Sequence, residues 1–214
     1  MSKPAFVEIG RLDEGGCPEF VLLGNRLCLD FANTVHAKRR NLDMLRTPGD
    51  IPAFLLAAGE IAREEKERME ALLLAAPDKA ANLLSQALQF RKLFRDWLTK
   101  LDEREYADPP LVDGLRFLLS TMPHVDSLEA RPEGGWRQQV EPLGDQVLWI
   151  LRPILLSVGA LVAEKDGLPV RKCGNPRCPI FFYDVSRTGK RRWCSMDSCG
   201  NQAKVRAFLN RQQT

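Results

Sequence analysis

The stretch "CGNPRCPIFFYDVSRTGKRRWCSMDSCGN", residues 173–201, holds four of the six cysteines of a 214-residue chain. They form two pairs, Cys173/Cys178 and Cys194/Cys199, each with four residues between its members and with fifteen residues between the pairs. Between the pairs, Ile180, Phe181, Phe182, Tyr183 and Val185 favour a strand, and Thr188-Gly189 supplies a turn. Arg191 to Cys194 is read as the returning strand. Ser195 or Asp197 then caps a helix that runs to about Gln212, with Val205, Phe208 and Leu209 as the apolar edge that packs on the hairpin or the body. The order places the first pair on a knuckle and the second at the entrance of a helix, a treble-clef-like arrangement.

The segment from Arg171 onward has 44 residues and few large apolar side chains, too little to fold around a core of its own. Four thiolates around one zinc ion replace such a core. Cys₄ is a standard tetrahedral ligand set, and a helix N-terminus with nearby Arg and Lys favours the thiolate form. With four protein ligands no position stays open for water, so the metal is structural, one ion per chain. Unligated or disulfide-linked cysteines are the alternative. Removal of Cys178 is expected to unfold this segment and leave the helices of the body intact.

Charge divides the chain at the same place. Residues 171–214 carry ten Lys/Arg against two Asp, a net +8, whereas the other 170 residues carry 21 basic and 26 acidic groups, a net −5. A basic module on a mildly acidic body points to a polyanion partner. Arg187, Lys190, Arg191 and Arg192 gather around the hairpin turn and returning strand, while Gln202, Lys204, Arg206 and Arg211 lie on the helix. These eight are the candidate DNA-binding residues: cations for phosphate, and Gln202, Arg206 and Asn210 toward base edges. Docking of the basic surface on the acidic body, or on another protein, is the alternative. One short helix is a small reader, so a homodimer would help affinity.

Upstream of this segment the chain reads as mainly helical. "FVLLGNRL", from Phe20, suggests a short strand and a turn at Gly24-Asn25. "CLDFANTVHAKRR" reads as a short helix with Leu27, Phe31, Thr34 and Val35 on one side. Thr47, Pro48 and Asp50 look like a helix start and Gly59 its stop, and "EEKERME" a solvated helix face. From Pro77 the positions Leu83, Ala87, Phe90, Phe94, Trp97 and Leu101 make a long apolar stripe. A shorter helix covers Leu111 to Met122, and His124 to Glu141 reads as a β-hairpin around Pro132-Gly135. An apolar helix from about Leu143 to Glu164 follows. Arg152 and Pro153 interrupt it and it is too short to span a bilayer, so no membrane segment is expected. The division falls at "KDGLP", giving domains 1–166 and 167–214. The fold class is mainly α with small β-hairpins, a helical N-terminal domain plus a Cys₄ zinc module.

Asp30, Asn33 and Thr34 are polar residues in an apolar stretch and converge on one helical face, the candidate ligand-binding site of a sensing domain. Satisfaction of buried backbone groups near Gly24-Asn25 is the other reading. His36 and His124 stand far apart and build no catalytic constellation, and no nucleophile or phosphate loop accompanies Asp30 and His36, so no enzyme is expected. Cys17 and Cys28 read as a loop thiol and a small buried hydrophobe. Trp97, Trp136, Trp149 and Trp193 are expected in cores, with Trp193 beside two arginines the exception. The opening "MSKPAFVEIGRLDEGG" is mixed and polar rather than a basic-then-apolar leader, which suggests a cytoplasmic protein.

"RKCGNPRCPIFFYDVSRTGKRRWCSMDSCGNQAKVRAF" resembles the CGNR zinc finger, and "LCLDFANTV" resembles the Leu-x-Leu-Asp-Phe-x-Asn-Thr signature of the ABATE domain that usually precedes it. The resemblance covers roughly residues 20 to 212. It implies a bacterial, stress-induced transcription regulator with zinc on Cys173, Cys178, Cys194 and Cys199, DNA as partner and a small-molecule or protein effector. Gln202 stands where the family name has Arg. A zinc-dependent protein-interaction module without DNA is the competing function.

Overall fold

The computed structural model describes residues 20–35, 43–101, 108–164 and 169–212. Cys17, His36 and the expected boundary at 166/167 lie outside them.

Eight α-helices and two small hairpins are described: α1 Leu27–Asn33, α2 Asp50–Ala57, α3 Arg63–Ala75, α4 Pro77–Leu98, α5 Pro109–Ser120, β1 His124–Ala130, β2 Trp136–Pro142, α6 Gln146–Trp149, α7 Arg152–Val162, β3 Val170–Lys172, β4 Phe181–Tyr183 and α8 Asn201–Gln212. The expected strand at Phe20 is irregular chain ending in a bend. Its turn is real: Asn25 adopts φ 61°, and a Cβ on Gly24 would lie 2.7 Å from that of Leu29. Only glycine lets the chain pass this close to α1.

Helix α4 is the spine of the body. Pro77 starts it, and Leu83, Ala87, Phe90, Phe94, Trp97 and Leu98 bury its stripe against α1, α3, α5 and α6. At α2 the cap differs from expectation: the Asp50 carboxylate, not Thr47, receives the amides of Arg46 (2.8 Å) and Thr47 (2.7 Å). Gly59 does end that helix region, at φ 76°. The expected long helix from Leu143 is two, α6 capped by Asp145 and α7 beginning at Arg152-Pro153. Proline lacks the amide that would continue α6 through this point.

The hairpin β1–β2 pairs in register from His124↔Pro142 to Ala130↔Trp136, closed through Gly134 and Gly135 at positive φ. Trp136, expected in a core, is 67% exposed on it. In the C-terminal segment β4 does not pair with Arg191–Cys194. It pairs with β3, Val170↔Tyr183 to Lys172↔Phe181, so the first cysteine pair lies inside the hairpin loop. The Arg191–Cys194 stretch runs past as irregular chain, joined where Gly174 N donates to Arg192 O (2.8 Å).

A strand turns alternate residues to opposite sides. In β4, Phe181 enters the main core with α1 and α4, while Phe182 enters a second cluster with Ile180 and the four cysteines, onto which Leu23 and Trp193 pack. One short strand thus belongs to both cores. Among the described residues no helix is long and apolar enough to cross a membrane.

A four-cysteine zinc centre clamped to the helical body

The knuckle forms because Cys173 N donates to Ile180 O (2.9 Å) and Cys178 N to Asn175 O (2.8 Å). That fixes Cys173 and Cys178 on one side of a tight loop. Cys194 arrives on the irregular stretch, and Cys199 sits in a five-residue π-helical turn, Met196–Gly200, that opens α8. Ser195 caps this turn through Ser198 N (3.4 Å), and Gly200 N closes it onto Ser195 O (3.0 Å).

All four Sγ atoms are buried and lie within 4.8 Å of one another, with 3.7 Å between Cys178 and Cys194 and between Cys194 and Cys199. Sulfurs at the roughly 2.3 Å bond length of tetrahedral zinc stand about 3.8 Å apart, so the set fits one zinc ion. Two N–H groups already point at the sulfurs: Cys194 N to Cys173 Sγ (3.4 Å) and Asn175 Nδ2 to Cys199 Sγ (3.5 Å). Such donors offset the excess negative charge of four thiolates on a divalent ion. Cys28, buried and remote, has its thiol pushed up to about 11 by desolvation.

The eight candidate DNA-binding residues do not share one situation. Arg187, Lys190, Arg192, Lys204, Arg206 and Arg211 are exposed. Arg191 is engaged within the module: its guanidinium stacks 4.4 Å over Phe182 and donates to the carbonyls of Trp193 (3.0 Å) and Cys194. Gln202 is exposed but its Oε1 accepts from Asn175 Nδ2 (3.2 Å). Of the two acids in the segment, Asp184 is buried, receiving Ser186 N and Arg191 N (both 2.9 Å) and facing Arg171 (3.3 Å). Its charge stays out of the basic surface. The apolar edge of α8 is unpacked: Val205, Phe208 and Leu209 are half exposed and the helix buries no residue. These three were expected to pack on the hairpin or the body. They flank a surface already occupied by cations, and the cysteine cluster closes without them.

Asp30, Asn33 and Thr34 come together on α1 and all three are buried. Each has a partner within the protein. Asp30 Oδ1 accepts from Gly24 N (2.7 Å), and burial raises its carboxyl to about 7 against the amides of Gly24 and Leu23. Asn33 donates to Phe181 O (2.8 Å) and accepts from Phe181 N (2.9 Å). Thr34 donates to Phe31 O (2.7 Å) and accepts from Arg91 (2.6 Å), which also binds Asp43. Around them, Gly24 O accepts from Tyr183 N and Asn25 Nδ2 donates to Tyr183 O (both 2.8 Å). Arg26 stacks 4.4 Å over the Tyr183 ring. Asn33, Gly24 and Asn25 therefore grip β4, while Asp30 holds Gly24 and Thr34 ties the end of α1 to Arg91.

Sequence reasoning missed Asn175, Arg91 and the clamp. The Asn175 and Asn33 roles lie between residues 27 and 148 positions apart, which no local pattern encodes. Arg91 did carry a signal, a cation within the apolar stripe of α4.

No curated protein matches the chain. Two family models do: the CGNR zinc finger over residues 170–212, and ABATE, described as "Putative stress-induced transcription regulator", over residues 25–165. Neither is a family of enzymes. The ABATE match covers about two thirds of the chain, so the chain belongs to the ABATE family, and it carries a CGNR zinc finger over residues 170–212.

Proposed function

We propose that this protein regulates transcription by binding DNA through its zinc module, while the helical body senses a ligand or partner and transmits that state through α1 to β4. The observation that carries the reading is the segregation of charge: six exposed cations on the turn and on α8, with Asp184 withdrawn into the module. Phosphate recognition needs such a surface, and a rigid zinc core supplies its geometry. The clamp of Asn33, Gly24 and Asn25 on Phe181 and Tyr183 gives the body a mechanical hold on the module.

The deciding experiment is fluorescence anisotropy of the full zinc-loaded chain on duplex DNA over a salt series, with and without chelator. DNA binding requires affinity that falls steeply with salt and vanishes with the metal. No binding at low salt, or binding indifferent to salt, defeats it. A second reading, a protein-interaction module without DNA contact, is favoured by one observation: the half-exposed Val205, Phe208 and Leu209 on α8.

A further inference from the structure

Beside the turn that grips β4, the body carries an open cavity of about 600 Å³, lined by that turn, by α7 and by residues at the ends of α2 and α6. Cavities of roughly 300–1,000 Å³ are the size that takes small organic molecules. The lining is of two kinds. Arg26, Arg152 and Asn25 supply donors, whereas Leu27, Trp149 and Leu156 supply apolar surface. Ser157 adds a hydroxyl held in place by Cys28 N (3.1 Å). Glu60 is the one acid of the lining and is exposed, so two cations outweigh it.

The two arginines differ in what engages them. Arg26 donates to Glu164 (3.0 Å) and stacks 4.4 Å over Tyr183, whose hydroxyl donates to the same carboxylate (2.8 Å). Arg152 is half-buried and stands 4.7 Å over the Trp149 ring, and among the described residues it meets no carboxylate or carbonyl. A guanidinium carries five N–H donors in a planar fork that matches a carboxylate in two parallel hydrogen bonds. Over an aromatic ring and beside apolar walls, such a fork lacks only its anion.

We infer that this cavity binds a small organic monocarboxylate with a compact apolar body. The carboxylate lies on Arg152 and Arg26, and the body lies against Trp149, Leu27 and Leu156. The inference rests on the reading of the helical body as a sensor and gives that sensor a site. Asp30, Asn33 and Thr34 are no part of the lining, being engaged inside the protein. The place also connects ligand to module. Asn25 Nδ2 donates to Tyr183 O (2.8 Å) and Arg26 covers the Tyr183 ring, so two residues of the cavity already hold β4. An anion on Arg26 competes with Glu164 for one guanidinium and alters that hold. Coupling of this kind is reciprocal, since the ligand shifts the module by as much as the module shifts the ligand.

The test titrates full-length, zinc-loaded protein, without DNA, into para-fluorophenylacetate and follows the fluorine NMR line width. A dissociation constant on the order of 1 mM or below is expected for a fragment of this size. Para-fluorophenylacetamide has the same body without the charge and should bind roughly 10-fold more weakly. Acetate and inorganic phosphate have charge without the body and should compete about 10-fold less well. Arg152→Gln should raise the dissociation constant about 10-fold. Leu156→Glu, which adds a like charge at a wall position 43% exposed, should weaken binding as well. Lys92→Gln removes the same charge as Arg152→Gln from an exposed position on α4 and should change nothing. Circular dichroism and zinc content verify that the variants are folded; should Arg152→Gln not fold, the amide, acetate and phosphate comparisons on the native chain decide. A native constant above about 10 mM, an amide that binds equally, phosphate that competes as well as the arylacetate, or a folded Arg152→Gln chain that binds unchanged would each overturn the site. DNA affinity with and without saturating probe then separates the site from the sensing reading: the expected binding with no change in DNA affinity supports the anion site and defeats its role as a sensor.

Discussion

Asn33 and Phe181 are hydrogen-bonded in both directions: the carboxamide donates to the backbone carbonyl at 2.8 Å and accepts from the backbone amide at 2.9 Å. A side chain thereby stands in for a neighbouring strand along the free edge of β4. It comes from the ABATE signature, and what it holds is a strand of the zinc finger.

Truncation of Asn33 should therefore act across the two parts. Asn33→Ala leaves a buried N–H and C=O unpaired, and each such group costs about 1–3 kcal/mol. Loss of roughly 2–4 kcal/mol in urea unfolding is expected, together with faster zinc loss to a chromogenic chelator. Asn33→Asp should be worse at pH 8, since a carboxylate cannot donate to Phe181 O. Equal zinc retention in native and Asn33→Ala chains would show that the clamp does not support the finger.

The shared strand makes a second prediction about metal removal. Val170 and Phe181 pack in the main core and Phe182 packs with the cysteines. Chelation should therefore lower the melting temperature of the helical body as well as unfold the finger, in place of the independence that sequence alone suggests. Phe181→Ala and Phe182→Ala should each cost about 3–5 kcal/mol. Only Phe182→Ala should accelerate zinc release at temperatures where the body remains helical by circular dichroism.

What was legible in the sequence followed from local rules. The stripe of α4 repeats from Leu83 to Leu98, the β1–β2 hairpin turns through its glycines, and four cysteines in matched pairs admit few meanings. The pairing of β4 was not legible, because three-residue strands carry no register and the true partner, Val170–Lys172, precedes the first cysteine. The roles of Asp30, Asn33 and Thr34 were ambiguous for the same reason. A polar residue in an apolar stretch must be satisfied, but its sequence does not say whether by ligand or by backbone. The exposure of Val205, Phe208 and Leu209 was unreadable because an i, i+3, i+4 stripe indicates that a helix packs, and not whether its partner is in the same chain.

Asp30 offers a pH signature. Its carboxyl is raised to about 7 by burial, above an unfolded value of 3.8. A raised acid binds a proton more tightly when folded, so the associated stability is fully present below about pH 4 and is lost as pH rises through 7. Asp30→Asn keeps an oxygen for Gly24 N–H and removes the ionisation. Relative to this variant, the native chain should lose about 1.4 kcal/mol between pH 6 and pH 8. Thiolate protonation affects both proteins alike, so the difference isolates Asp30. Parallel stability curves would mean that Asp30 titrates as an ordinary surface carboxylate.

Arg191 and Arg192 are adjacent but differ in what already occupies their guanidinium groups. Arg192 is exposed, whereas the Arg191 guanidinium is bound to Trp193 O and Cys194 O and stacked on Phe182. If DNA is the partner, Arg192→Ala should reduce the slope of log affinity against log salt by about 1 and leave thermal stability nearly unchanged. Arg191→Ala should do the reverse, loosening the zinc core with little change in slope for the folded fraction. Gln202→Arg restores the residue of the family name and adds one positive charge at the start of α8. It also removes the acceptor of Asn175 Nδ2, although that amide keeps Cys199 Sγ. The slope should steepen by about 1 if position 202 faces phosphate. An unchanged slope with weaker zinc retention would assign Gln202 to holding Asn175 against the metal centre, and would leave DNA contact to the turn and the rest of α8.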